Sequence, residues 1–189
     1  MAEHLPREPL PLLAVPAGSV VVRQGEDPGR LHVVAAGAFV EFCSSLDGRE
    51  LIMDVLGPGD LVGTFDRPAE STVRALRLSR LRPAAASEVP NLLSARERRA
   101  LEFARDLAWL DVTARLERRL EDLAGRFGRR STDGLMIDLF LRQEDLAALV
   151  GATRESANRA IRVLRGRGRL RSPTRGRYVL PPQLLSVGS

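Results

Sequence analysis

Arg154, Glu155, Asn158 and Arg159 form the most chemically pointed cluster in this 189-residue sequence. The forked donors of arginine pair with O6 and N7 of guanine together, while glutamate can only accept, which suits the exposed amine of cytosine. Arg154 and Arg159 stand five residues apart, so on a helix they lie close enough in angle to address one groove of a duplex. Arg162 extends the same face, and the hydroxyls of Thr153 and Ser156 suit phosphate oxygens. The first four residues are therefore candidates for reading bases. Thr153, Ser156 and Arg162 are candidates for holding the backbone.

Such a face needs a helix, and a second element to present it. Leu146, Leu149 and Val150 recur at helical spacing before Gly151 breaks the pattern. Thr153 can cap the helix that follows, in which Ala157, Ile161 and Leu164 fall on one side and the arginines on another. Two short helices around a glycine-containing turn describe a helix-turn-helix. The plain alternative is an amphipathic pair whose arginine face is merely solvated. Charge distribution favours the first reading: residues 1–113 carry 13 arginines and 16 acids, whereas residues 114–189 carry 16 and 8. The overall +5 thus comes from the half that contains these helices, as phosphate binding requires. One reading helix contacts too few bases for useful specificity. A two-fold dimer on a palindrome, with half-sites about one turn (~34 Å) apart, solves this.

The run Asp145-Leu146-Ala147, Val150-Gly151, Thr153-Arg154-Glu155-Ser156 and Asn158-Arg159 resembles the DNA-reading motif of the CRP/FNR family of bacterial transcription regulators. The resemblance implies that Arg154, Glu155 and Arg159 read a TGTGA-like half-site of double-stranded DNA. It also marks departures. Asn158 stands where the best-known member has a residue without a side chain, and Arg142 replaces the usual Ser or Thr, exchanging a helix cap for a charged phosphate contact. Leu170–Ser172 and Arg177–Leu180 read as two strands of a wing. Arg169, Arg171, Arg175 and Arg177, in and around it, are further phosphate candidates.

From Leu12 to about Leu81, short apolar runs alternate with glycine and proline, and Asp47-Gly48 is a hairpin signal. That texture indicates an antiparallel barrel or jelly roll. Pro16-Ala17-Gly18, Gln24-Gly25-Glu26, Leu31 to Gly37 and Gly59-Asp60-Leu61-Val62-Gly63 resemble the cyclic-nucleotide-binding-type β-roll of the same family. The resemblance puts Thr64 where cyclic-AMP-binding members hold the ribose with a glutamate, and Ala69 where an arginine holds the cyclic phosphate. Ala100 and Leu101 take the place of an adenine-contacting Thr-Ser pair. A cyclic phosphate without its arginine loses its strongest charge-assisted hydrogen bonds. Independence of cyclic AMP is the expectation, with no cofactor. A different small effector in the roll is the alternative.

Residues 94–124 contain neither proline nor glycine, and Ala100, Phe103, Leu107, Leu110 and Ala114 are spaced three, four, three, four. Such a helix either packs on its own domain or forms a dimer seam, and the family resemblance favours a seam through Ala100, Phe103, Leu107 and Leu110. Asp111 looks like the family's hinge, placed to cap a next helix from about Val112 to Ala124 that Gly125 and Gly128 close. A loop over Arg129–Gly134, where relatives touch RNA polymerase, and a strand from Leu135 to Leu141 complete the approach to the helix-turn-helix. The whole reads as an α+β chain: a β-roll (jelly roll) over 1–92, a dimerisation helix and hinge over 93–111, and a winged helix-turn-helix over 112–189.

Cys43 is the single cysteine and His4 and His32 are the two histidines, too few for a disulfide, an iron–sulfur cluster or a conventional metal site. A metal-dependent cupin enzyme on the same roll would need a histidine-rich interior, and a pure scaffold has no use for a base-reading face. The N-terminus does not read as a signal peptide, and no run approaches the ~20 apolar residues of a membrane span, so a cytoplasmic protein is expected. The sequence predicts a homodimeric, sequence-specific DNA-binding regulator rather than an enzyme. Activation through RNA polymerase is the expected mode, repression the alternative.

Overall fold

The computed structural model describes residues 11–65, 68–174 and 176–182. Eight short strands build the first half: β1 (Leu13–Val15), β2 (Val20–Val22), β3 (His32–Ala36), β4 (Phe39–Ser44), β5 (Glu50–Leu56), β6 (Leu61–Val62), β7 (Thr72–Ala75) and β8 (Ser79–Pro83). They pair antiparallel in two four-stranded sheets, ordered β1-β8-β3-β6 and β2-β7-β4-β5. Alternating residues such as Val22, Val34, Phe39, Leu56, Val62, Val73 and Leu81 fill the space between the sheets. Gly37, at φ +100°, makes the β3–β4 corner, where a Cβ would sit 2.1 Å from Ser79 Oγ. That approach lets the hydroxyl accept the Ala38 N–H at 3.1 Å.

Two helices follow, α1 (Val89–Trp109) and α2 (Val112–Phe127). α1 starts earlier than the loss of proline at Ser94 indicates, because Pro90 lies in its first turn, where no N–H bond is needed. Leu110 is extended, and Asp111 caps α2, its Oδ1 accepting the Ala114 N–H at 2.8 Å. α2 does not stop at Ala124. It runs through Gly125 because Arg126 and Phe127 are anchored on the roll, which offsets the ~1 kcal/mol a helical glycine costs.

The segment expected as a loop over 129–134 is mostly strand. β9 (Gly128–Ser131) and β10 (Gly134–Ile137) form a hairpin, joined by β11 (Tyr178–Leu180) in the order β11-β10-β9. Gly-Arg-Arg-Ser carries no apolar alternation, so its pairing is set by the partner strand and not by local pattern. The expected strand at Leu170–Ser172 shrinks to one bridge, Arg171 with Val179. The helix-turn-helix consists of α3 (Gln143–Leu149) and α4 (Arg154–Gly166).

One apolar core joins the halves. Val40, Phe42, Ile52 and Val55 of the roll pack in the same cluster as Leu116, Leu120 and Leu123 of α2 and Leu146, Leu149 and Ile161 of the helix-turn-helix. Charge closes its rim. Arg99 of α1 reaches Asp54 at 2.7 Å and Asp60 at 2.9 Å, and Arg126 of α2 reaches the same two carboxylates at 3.0 and 2.8 Å. Arg119 lies over the Phe103 ring, 4.3 Å from its centroid, and donates to the Met53 carbonyl at 2.9 Å.

Candidate nucleic-acid interface

Gly151, at φ +60°, turns the chain between α3 and α4, with Leu107 and Leu51 closing over it. Thr153 then caps α4: its Oγ1 accepts the Ser156 N–H at 3.2 Å and donates to Ser156 Oγ at 3.1 Å. Burial of Ala157, Ala160, Ile161 and Leu164 turns the opposite side of α4 outward, so Arg154, Glu155, Arg159 and Arg162 are exposed. Asn158 is set back from them, half-buried, with its Oδ1 enclosed and unpartnered.

Among the described residues, Arg154, Arg159, Arg162 and Arg165 make no ion pair. Other arginines expected on phosphate are already matched: Arg169 to Glu117 and Glu121, Arg171 to Asp133, and Arg177 to Asp138. Unbalanced positive charge therefore stands on α4, unlike on those three arginines, and favours an anion there. Arg165 escaped sequence reasoning. Its signal was present, since no acid follows Glu155 anywhere in the chain. With Arg142, Arg154, Ser172 and Thr174 it lines a groove of about 520 Å³ between α3, α4 and the segment before β11. Arg175 lies outside the described residues.

Arg142 costs α3 less than the lost hydroxyl implies. Its backbone N–H donates to the Asp145 carboxylate at 2.6 Å, half of a capping box, and its guanidinium meets Glu144 at 3.1 Å on the surface.

The residues expected in a dimer seam fall in different environments within the chain, with Ala100 exposed and Leu110 half-buried. Phe103 is 3% exposed beneath Arg119 and packs within its own chain, whereas Leu107 is half-buried, with its side chain near Gly151. Ala100, Leu101 at 53%, Ala104, Ala108 and Trp109 at 78% form the apolar stripe left open on α1. A three-four repeat marks a buried face without saying whether the partner is the same chain or another.

At the positions expected from the resemblance to contact a nucleotide, Ala69 is part of the roll's core, Thr64 is half-buried, and Ala100 and Leu101 are exposed on α1. Between them the roll holds an acid. Glu41 is 3% exposed, accepts from Ser71 Oγ at 2.6 Å and pairs with Arg96 of α1, whose other nitrogen donates to the Gly63 carbonyl at 2.8 Å.

A two-sheet roll, a long helix and a winged helix with an unpaired arginine face define a DNA-binding protein with an appended sensor-type domain. The cyclic nucleotide-binding domain model matches residues 12–96 and the Crp-like helix-turn-helix domain model matches residues 114–185. The chain is similar to the CRP-like cAMP-activated global transcriptional regulator of Mycobacterium tuberculosis, 33% identical over 174 residues, covering 82% of this chain and 78% of that protein. CRP-like protein Clp of Xanthomonas campestris is 30% identical over 189 residues, covering 87% and 81%. Among solved structures, the c-di-GMP responsive global regulator CLP of Xanthomonas campestris superposes with a TM-score of 0.75 at 26% identity, covering 91% of this chain and 94% of that one. A CRP/FNR-family regulator from Thermus thermophilus shares the fold, with a TM-score of 0.79 at 22% identity over 90% and 93%. This chain belongs to the CRP/FNR family of transcriptional regulators, DNA-binding proteins and not enzymes. No helix among the described residues is long and apolar enough to cross a membrane.

Proposed function

We propose that the protein is a homodimeric regulator that binds a palindromic operator with TGTGA-like half-sites without cyclic AMP, and activates by recruiting RNA polymerase. The observation that carries this is the outward face of α4, with Arg154, Glu155 and Arg159 exposed and, among the described residues, no counter-charge on its arginines. Arg154 and Arg159 pair with guanines and Glu155 with a cytosine amine. Asn158 reads from its recessed position at the centre of the half-site. Arg142, Ser156, Arg162 and Arg175 hold phosphates, and Thr153 supports them as the cap. The open stripe on α1 supplies the two-fold seam, Asp111 the hinge, and the β9–β10 hairpin the surface for polymerase.

Independence of cyclic AMP is supported by Ala69 in place of a phosphate-binding arginine and by the buried Glu41 carboxylate, which accepts from Ser71 two residues further on. A second reading, gating by a nucleotide effector, is favoured by the relatives described as cAMP-activated and c-di-GMP responsive. Operator selection from random duplexes, with and without each nucleotide, separates the two. Enrichment of a palindrome by the protein alone is the expected result, and enrichment only with a nucleotide establishes the second reading instead.

A further inference from the structure

An ionised carboxylate inside a β-roll is retained only where cationic and hydrogen-bonding partners replace its water. Glu41 has such partners, and their origin matters. Ser71 belongs to the roll, two residues beyond Ala69, whereas Arg96 comes from α1, 55 positions along the chain. Arg96 also holds Gly63, next to Thr64. The carboxylate therefore ties the two ends of the nucleotide-type site to the long helix.

The inward face of α1 continues from that tie to the DNA-reading unit. Arg96 meets Glu41, Arg99 meets Asp54 and Asp60, Phe103 lies under Arg119 of α2, and Leu107 closes on Gly151 in the helix-turn-helix turn. These four residues are spaced three, four and four, one side of a single helix. A shift of α1 against the roll moves the whole line, because packed contacts do not stretch.

We infer that Glu41 is a positioning residue: a built-in anion that fixes α1 on the roll, and through α1 the helix-turn-helix, in the place where a bound anionic effector would otherwise act. This rests on the reading of the chain as an operator-binding regulator that needs no nucleotide. It makes the effector part of the polypeptide.

The test is Glu41→Ala in the full-length protein, with operator affinity measured in chloride, formate and acetate at matched ionic strength. Loss of about tenfold or more in chloride is expected, with recovery in formate or acetate as the small carboxylate enters beside Arg96. Unchanged affinity in chloride overturns the inference, and so does a loss in a protein of unchanged melting temperature that neither carboxylate repairs. Should Glu41→Ala fail to fold, Arg96→Gln breaks the same pair from its more exposed side. Weaker operator binding at unchanged melting temperature then supports the inference, and wild-type affinity overturns it. Failure of the wild type to bind any duplex without nucleotide would instead refute the reading beneath it.

Discussion

At the junction of roll and helices, Arg99, Arg119 and Arg126 are enclosed by Asp54, Asp60, an aromatic ring and backbone carbonyls. On α4, Arg154, Arg159, Arg162 and Arg165 face outward without a counter-ion among the described residues. The residue type is the same and the physical roles are opposite. Enclosed guanidiniums cannot give up their partners without leaving a buried charge, so they lock geometry. Unmatched ones raise the local potential until an anion arrives, so they bind. Composition alone cannot separate these uses. What separates them is whether an acid or a carbonyl lies within reach.

Breaking the junction has the largest expected effect. Asp54→Ala leaves Arg99 and Arg126 to share Asp60 alone and should cost about 3 kcal/mol of stability in urea unfolding. A loss under about 1 kcal/mol would mean that the junction is solvated and no lock. On the open side of α1, Leu101→Glu sets like charges across the proposed seam. It should weaken dimerisation about a hundredfold, near 2.8 kcal/mol at 1.4 per decade, as read by sedimentation equilibrium. An unaffected dimer would place the seam elsewhere.

On α4, Arg154→Ala should lose about 1–3 kcal/mol of operator binding per half-site while leaving the melting temperature alone. Equal affinity of variant and wild type at matched salt contradicts the base-reading role. Arg165→Ala should weaken all duplexes alike and reduce the salt slope of log K by about 1, as loss of one phosphate contact requires. Sequence-selective loss would move Arg165 into the base-reading group.

The smallest effect belongs to a half-buried pair at the start of α1. The Arg82 guanidinium, with help from the Ala85 N–H, holds the Glu88 carboxyl at about 2. Because the folded value lies below the ordinary one, this stabilisation is present above the usual carboxylate range and is lost as pH falls towards 2. Glu88→Gln should therefore be slightly less stable than wild type at pH 7, by well under about 1 kcal/mol, with the gap closing in acid melts. A gap that persists at pH 2 would assign the effect to packing.

Much of the reading unit was legible locally. The α4 apolar spacing, the Thr153 and Asp111 caps and the strand-and-turn texture of the roll depend on residues within a few positions of one another. Where α1 would turn its apolar side was not legible. The three-four repeat names Phe103 and Leu107, which lie under Arg119 and near Gly151 of the same chain. β9 and the last turn of α2 escaped for a related reason, since a polar strand and a glycine-bearing helix end are stabilised by what they touch.

By itself, then, the amino-acid order determined that a basic reading helix exists, where it starts, and that a glycine-punctuated roll precedes it. Capping, periodicity and charge are short-range properties written along the chain. Only the tertiary structure decided which arginines are neutralised, which side of α1 remains open, and that Glu41 meets Arg96 inside the roll. Those outcomes depend on approaches between residues tens of positions apart, and nothing in the local pattern of either partner encodes the other.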